Sequence, residues 1–255
     1  MTLAAGPMPP VNASAPCPNK RRVNFASKSV LSVPVVVKQL PIEHFTALDA
    51  AGVCRHTFIK RIQGMDVSHG KAEALKRLDA VHREIRHAIG IGDWPLLTAE
   101  QIHGNKIAVV DRAVDKDKHF AGCDGFITNQ PRISLGIHVA DCCAVYIVDP
   151  NTPTIGLLHS GRKGTELGVV TNAIAQMIEQ FGSKPGDLIV QLSPCIRPPH
   201  YEIDFAAKII EQCRDQGVRE IHDSGVCTAS DLEHYYSYRA EKGRTGRMLA
   251  LLGLK

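Results

Sequence analysis

Two short phrases, Ala140-Asp141-Cys142-Cys143 and His159-Ser160-Gly161, place a thiol and an imidazole at the two ends of one segment. A thiolate beside an imidazole supports two chemistries: it can hold a borderline metal such as zinc, or serve as a nucleophile with its base. The residues between them read as a β-hairpin. Ala144 to Asp149 and Thr154 to His159 are apolar runs, and Pro150-Asn151-Thr152-Pro153 separates them, with both prolines where a missing N–H does least harm. A turn centred near Asn151 sets opposite one another residues whose numbers sum to about 302. Cys142 and Cys143 then lie across from His159 and Ser160. Directly opposed residues have Cβ atoms about 4.5–5.5 Å apart, a span that a zinc bonded at about 2.0–2.3 Å can bridge. His103, in the turn His103-Gly104-Asn105-Lys106 of a second expected hairpin, offers a third ligand. Spacing alone does not bring it to the other two.

For these residues to meet, the chain around them must form sheet. Residues 95–102, 106–111, 123–128, 133–139, 144–149 and 154–160 are short apolar runs bounded by turn residues, and read as strands. Upstream, 31–37 reads as a strand, 43–51 as a helix and 52–60 as another strand. Leu75, Leu78, Val81, Ile85 and Ile89 recur at three- and four-residue steps, which predicts an amphipathic helix over 70–89 with Lys76, Arg83 and Glu84 on its solvated face. Helices follow over 164–181, with Leu167, Val170, Ile174 and Phe181 inward, and over 205–217. Residues 187–194 form a buried strand between them, and 245–254 close the chain as a short helix. The whole predicts an α+β fold, a single layered domain with mixed β-sheets flanked by helices, spanning 29–255 as the catalytic domain. Residues 1–28, rich in Pro, Ala, Ser and Asn, form a flexible basic leader.

Composition narrows the functions open to such a domain. With 44% hydrophobic and 22% charged residues, the 255-residue chain is in the range of soluble globular proteins. The formal charge of +4 comes from the start of the chain, where 1–42 hold Lys20, Arg21, Arg22, Lys28 and Lys38 and no acid. Removing those five from 30 basic residues leaves 25 against 26 acidic ones. No nucleic-acid or membrane surface is expected from a balance so close to neutral. The eight cysteines show no CxxC spacing, and no signal peptide precedes them, which indicates reduced thiols in the cytoplasm. The apolar stretches fall short of the roughly 20 residues that a membrane span requires.

The phrases QIHGNKI (101–107), ADCCAVYIVD (140–149), GLLHSGRKG (156–164), LSPCIRPPHYEID (192–204), CT (227–228), YSYR (236–239) and TGR (245–247) run in a distinctive order. In order and spacing they resemble the family named for purine nucleoside phosphorylase and polyphenol oxidase (laccase-domain) activity, over roughly residues 95 to 250. Before residue 90 only HTFIKRIQG is similar to the family's Phe-Ser-Thr-Arg-Gly-Gly segment, with Arg61 at its arginine. The resemblance implies that the His of Gln-x-His-Gly, the Cys of Ala-Asp-Cys and the first His of His-Ala-Gly-Trp-Arg-Gly hold a single zinc. By position these are His103, Cys142 and His159. The chain departs from the family where His159-Ser160-Gly161-Arg162-Lys163-Gly164 stands for His-Ala-Gly-Trp-Arg-Gly, and where Ala144 replaces a proline. Lys163 offers a point charge where the family's arginine offers a planar fork.

Two imidazoles and one thiolate leave the fourth position of a tetrahedral zinc open, as catalytic sites do, and bound water there approaches a pKa of about 7. The resemblance implies phosphorolysis of adenosine, inosine or methylthioadenosine by phosphate to the free base and ribose 1-phosphate, with deamination of adenosine as a second activity. Purine nucleoside and phosphate are the expected small-molecule partners. Phosphate favours cations, so Arg162 and Lys163 are the expected cradle, with Arg61 and Arg239 as further substrate-binding candidates. Asp141, beside the ligand Cys142, is expected to orient His159 or to act as an acid. Copper is the weaker metal candidate, because the chain contains no His-x-His pair of the kind multicopper oxidases use. Two alternatives stay open: a metal-free cysteine hydrolase with Cys142 as nucleophile and His159 as base, and a zinc-binding protein without turnover.

Overall fold

A computed structural model of the chain describes residues 40–255 together with Thr2 and Gly6. The expected leader and the strand over 31–37 lie outside the described residues. Twelve strands and five α-helices follow along the described residues. They begin with β1 (Ile42–Glu43), α1 (Thr46–Ala51), β2 (Cys54–Ile59), α2 (Lys71–Ala88), β3 (Leu96–Ala99) and β4 (Ala108–Val110). The central run is β5 (Lys118–Phe120), β6 (Gly125–Thr128), β7 (Ser134–Val139), β8 (Cys143–Asp149) and β9 (Thr154–Ser160). After it come α3 (Arg162–Glu166), α4 (Val169–Phe181), β10 (Ile189–Leu192), α5 (Phe205–Asp215), β11 (Glu220–Asp223) and β12 (Met248–Leu254).

The strands make two six-stranded sheets, ordered β1-β2-β12-β7-β3-β5 and β11-β10-β8-β9-β6-β4. Both are mixed: β3 runs parallel to β5 and β7 in the first, and β4 to β6 and β10 to β11 in the second. Phe58, Leu135, Ile137 and Leu252 of the first sheet and Tyr146, Val148, Ile155 and Leu157 of the second pack into one core between them. The outer face of the first sheet buries Leu249 and Leu251 against Ile85 and Trp94. The outer face of the second buries Val145, Ile147 and Val190 against α4 and α5 through Val170, Ile174 and Ile209. The α+β layered arrangement expected from the sequence is therefore present, as helix, sheet, sheet, helix. With both faces covered, β8 and β9 are buried at every position, which explains their unbroken apolar runs.

Three local expectations are corrected. Residues 245–254 hold no helix: Met248–Leu254 is a central strand that pairs antiparallel with both β2 and β7. A seven-residue run that is apolar throughout has no period to distinguish helix from strand, and burial on both faces decides for strand. Residues 164–181 form two helices, because Gly168 at φ 74° interrupts them and leaves Leu167 half exposed. His103 does not sit in a hairpin turn, because β3 and β4 belong to different sheets.

That last correction explains how the site is built. From β3 to β8 consecutive strands alternate between the two sheets, so β3–β4, β5–β6 and β7–β8 are all crossings from the first sheet to the second. Because β3, β5 and β7 are parallel, all three crossings leave from the same end of the sandwich. His103 lies in the first crossing, Asp124 in the second and Cys142 in the third.

Candidate metal centre and its cavity

The β8–β9 hairpin pairs Ala144 with His159 and Cys143 with Ser160, one residue further along than expected, because its turn spans all of Pro150 to Pro153. The Asp149 carboxylate holds that turn, accepting from Asn151 N at 3.0 Å and Thr152 N at 2.9 Å. Cys142 therefore stands just beyond the ladder, and side-chain alternation puts it on the face shared by Ala144 and His159. Its formal cross-strand neighbour is Gly161, where a Cβ would lie 2.5 Å from Cys142 Sγ and 3.6 Å from His103 Cδ2. Only a residue without a side chain lets thiol and imidazoles converge there.

Converge they do: donor atoms of His103, Cys142 and His159 all lie within 4.8 Å of one another. Tetrahedral zinc with bonds of about 2.0–2.3 Å sets its ligand atoms about 3.3–3.8 Å apart, so the cluster needs only a small contraction. The rings of His103 and His159 meet edge-on with centroids 4.7 Å apart. Burial alone would raise the Cys142 thiol, but the charge of His159 and hydrogen bonds from both histidines hold it well below the ordinary thiol range. His159 moves the other way: burial would lower it, yet Cys142 and Asp124 raise it above the usual imidazole value. A ready thiolate flanked by two imidazoles suits zinc in both charge and donor type.

The group that aims His159 is Asp124. Its Oδ1 lies 2.9 Å from His159 Nδ1, which leaves Nε2 for a metal. The same carboxylate accepts from the backbone N–H of His103 at 2.8 Å and of Gly104 at 2.7 Å. Burial works to raise Asp124, but the bonds from His159, Gly104 and His103 outweigh it and keep the group ionised. Gln101 ties the same loop to β7, donating to His138 O at 2.6 Å and accepting from His138 N at 3.0 Å. Gln101, His103 and Asp141 all adopt left-handed backbone (φ 62°, 60° and 79°), a cost that non-glycine residues bear where neighbours enforce it.

Asp141 does not orient His159. Its carboxylate accepts from Thr228 Oγ1 and from Arg239 N, both at 2.7 Å, and so anchors the Arg239 loop to the third crossing. Arg61 is not part of the cavity lining: it pairs with Glu241 at 2.7 Å and stacks 4.4 Å over Tyr236. Arg162, Lys163 and Arg239 do line the cavity, which holds about 670 Å³ and opens onto the three-residue cluster. Three residues of the site are not among those expected from sequence. Asp124 falls within an expected strand, and the signal it offers is an acid heading a short apolar run. Lys71, at the start of α2, and Arg247, beside β12, also line the cavity; Arg247 ends the distinctive phrase Thr245-Gly246-Arg247, whereas no local pattern could have placed Lys71 there.

Comparison with known proteins follows the same lines. The family model described as multi-copper polyphenol oxidoreductase laccase matches residues 43–208 and 199–255. A purine nucleoside phosphorylase of Corynebacterium glutamicum is 29% identical over 192 residues, covering 65% of this chain and 77% of that protein. Purine nucleoside phosphorylase YlmD of Bacillus subtilis is 28% identical over 241 residues, covering 80% and 85%. Among solved structures, YlmD of Geobacillus stearothermophilus superposes with a TM-score of 0.70 at 20% identity, over 79% of this chain and 92% of that one. The Bacillus licheniformis hypothetical protein YfiH superposes with a TM-score of 0.69 at 21% identity, over 79% and 93%.

Proposed function

Because the chain belongs to the multi-copper polyphenol oxidoreductase laccase family, we propose that it is a zinc-dependent purine nucleoside phosphorylase, with deamination of adenosine as a second activity. The observation that carries this is the convergence of His103, Cys142 and His159 at one side of a cavity large enough for a nucleoside and rich in cations. The relatives named above as purine nucleoside phosphorylases supply the substrate class. In the reaction the C1′–N9 bond of adenosine breaks, a C1′–oxygen bond to phosphate forms, and adenine leaves with ribose 1-phosphate.

A zinc held by the three residues would supply Lewis acidity at a substrate oxygen. The protein's own groups do the rest. Asp124 holds His159 in the tautomer that points Nε2 inward, and fixes the main chain that presents His103. Tyr201, Phe205 and Tyr238 offer aromatic faces for a purine ring.

Oxidase chemistry of the laccase kind fits these residues poorly. Among the described residues the other cluster of possible ligands is His44, Asp49 and His56. There His56 Nε2 already accepts a hydrogen bond from Phe45 N at 2.8 Å, which keeps its other nitrogen protonated. One observation favours a second reading: Cys142, His159 and Asp124 follow one another as nucleophile, base and orienting acid do in a cysteine hydrolase.

Purified protein assayed by chromatography should release adenine from adenosine only when phosphate is added, and Cys142→Ala should abolish the release along with stoichiometric zinc. Turnover that survives chelation but ends on thiol alkylation would select the hydrolase. Unchanged turnover in Cys142→Ala would remove both readings.

A further inference from the structure

Five cations line the cavity: Lys71, Arg162, Lys163, Arg239 and Arg247. They are not equivalent, because a cation already facing a carboxylate has little charge left for a ligand. Arg162 Nε binds Glu166 at 2.9 Å, and its Nη1 lies 3.9 Å from Glu202. Arg239 Nη2 lies 3.3 Å from the same Glu202, and its guanidinium rests 4.9 Å over the ring of Tyr201. Both arginine side chains are about half exposed, so this bridged pair stands at the mouth.

Lys71, Lys163 and Arg247 have no acidic partner among the described residues. The only acid in the lining is Asp141, and its two oxygens are already occupied by Thr228 and Arg239 N. Lys71 and Arg247 are, in addition, held in place. Lys71 Nζ donates to Glu100 O at 3.2 Å, and Arg247 uses Nη1 alone to bind Thr245 O at 2.9 Å and Gly246 O at 2.8 Å. That leaves the remaining N–H groups of the Arg247 fork free for a bidentate oxyanion. We propose that Lys71 and Arg247 form the phosphate subsite of this cavity, beside Cys142, in place of the Arg162 and Lys163 cradle expected from sequence.

The electrostatics agree with this placement. Burial, and for Lys71 the charge of Arg247, hold both cations below their ordinary values, while Asp124, Glu100 and Cys142 pull Lys71 the other way and Cys142, Tyr238, Asp141 and Glu241 do so for Arg247. Two cations in one cavity wall that no carboxylate pairs within salt-bridge distance are stabilised by an arriving anion. Lys163 carries charge but no tether, so it adds attraction without position.

The assignment rests on the phosphorylase reading for its ligand, so the test reads phosphate binding apart from turnover. Calorimetric titration of the zinc-loaded protein with inorganic phosphate should show saturable binding. Lys71→Gln and Arg247→Gln should each weaken it roughly 10-fold or more, the loss typical of a charge-assisted hydrogen bond. Arg247→Lys should recover part of it, and Arg162→Gln should weaken it less than about threefold. In phosphorolysis the same two variants should raise KM for phosphate far more than KM for adenosine. Absence of phosphate binding by the wild-type protein, or loss in Arg162→Gln exceeding that in Lys71→Gln and Arg247→Gln, overturns the subsite. Should Arg247→Gln fail to fold, Lys71→Gln, at the exposed end of the subsite, decides. Phosphate bound as expected without adenosine cleavage would overturn the phosphorylase reading and leave the subsite standing.

Discussion

Asp124 bears on two of the three candidate ligands at once. One carboxylate aims the ring of His159 and fixes the backbone of the His103 loop, so loop position and ring orientation cannot change independently. Asp124→Asn preserves size and can still accept from Gly104 N, but removes the charge behind His159. Groups in this position typically contribute 10- to 100-fold to metal affinity. Competition with a chromophoric chelator should therefore show zinc held about 10- to 100-fold more weakly in Asp124→Asn, and unchanged affinity would remove Asp124 from the site. The pair Cys142 and His159 was legible from residues alone because a hairpin turn between prolines sets a local register. Asp124 was not, since its partners lie in other crossings, and Asp141 drew attention by adjacency in sequence to a ligand it does not serve.

Elements with a clear period, or with turn residues at both ends, are legible in the sequence. The α2 helix follows from its apolar spacing, and β8 and β9 from unbroken apolar runs that share a turn between prolines. At β12, an apolar run with no period and no partner turn beside it, the expectation of a helix fails. Leu251 is fully buried on the outer face of the first sheet, packed with Ile59 and Ile85. Leu251→Ala should accordingly cost about 2–5 kcal/mol, the range for a large-to-small change in a core. A leucine on a short terminal helix at the surface would lose well under half of that. Urea unfolding distinguishes the two, and a cost below about 1 kcal/mol would contradict the central placement. The short strands β1, β5 and β11 are not legible in the sequence, because two to four residues at half-buried or exposed positions carry too little pattern.

Across the whole molecule, the face of the first sheet covered by α2 conceals a pH dependence. His82 is buried, its Nε2 has no hydrogen-bond partner, and its ring stacks 6.2 Å from that of His138. Burial lowers His82 to about 4, and burial followed by the charge of His82 lowers His138 to about 3. Below about pH 6.5 the unfolded chain binds protons that the folded one refuses, so stability falls as pH drops from about 6.5 toward 4 and is level above 7. For His82 alone the loss is on the order of 1–3 kcal/mol. Urea midpoints measured from pH 4 to 8 should decline on the acid side, and His82→Phe should flatten the decline. An equally steep decline in His82→Phe would place the titration elsewhere.

The alternation of β3 to β8 between sheets also divides the molecule into two rims. Three crossings at one rim carry His103, Asp124 and Cys142, whereas the return connections β4–β5 and β6–β7, over 111–117 and 129–133, run along the opposite rim. Residues 115–117 are exposed there, on the rim away from His103, Asp124 and Cys142. The far rim is thus a handle for the near one: a short Gly-Ser insertion between Asp115 and Lys116 should leave zinc content and adenine release intact, and a label or tether placed there would report on the protein without entering its chemistry.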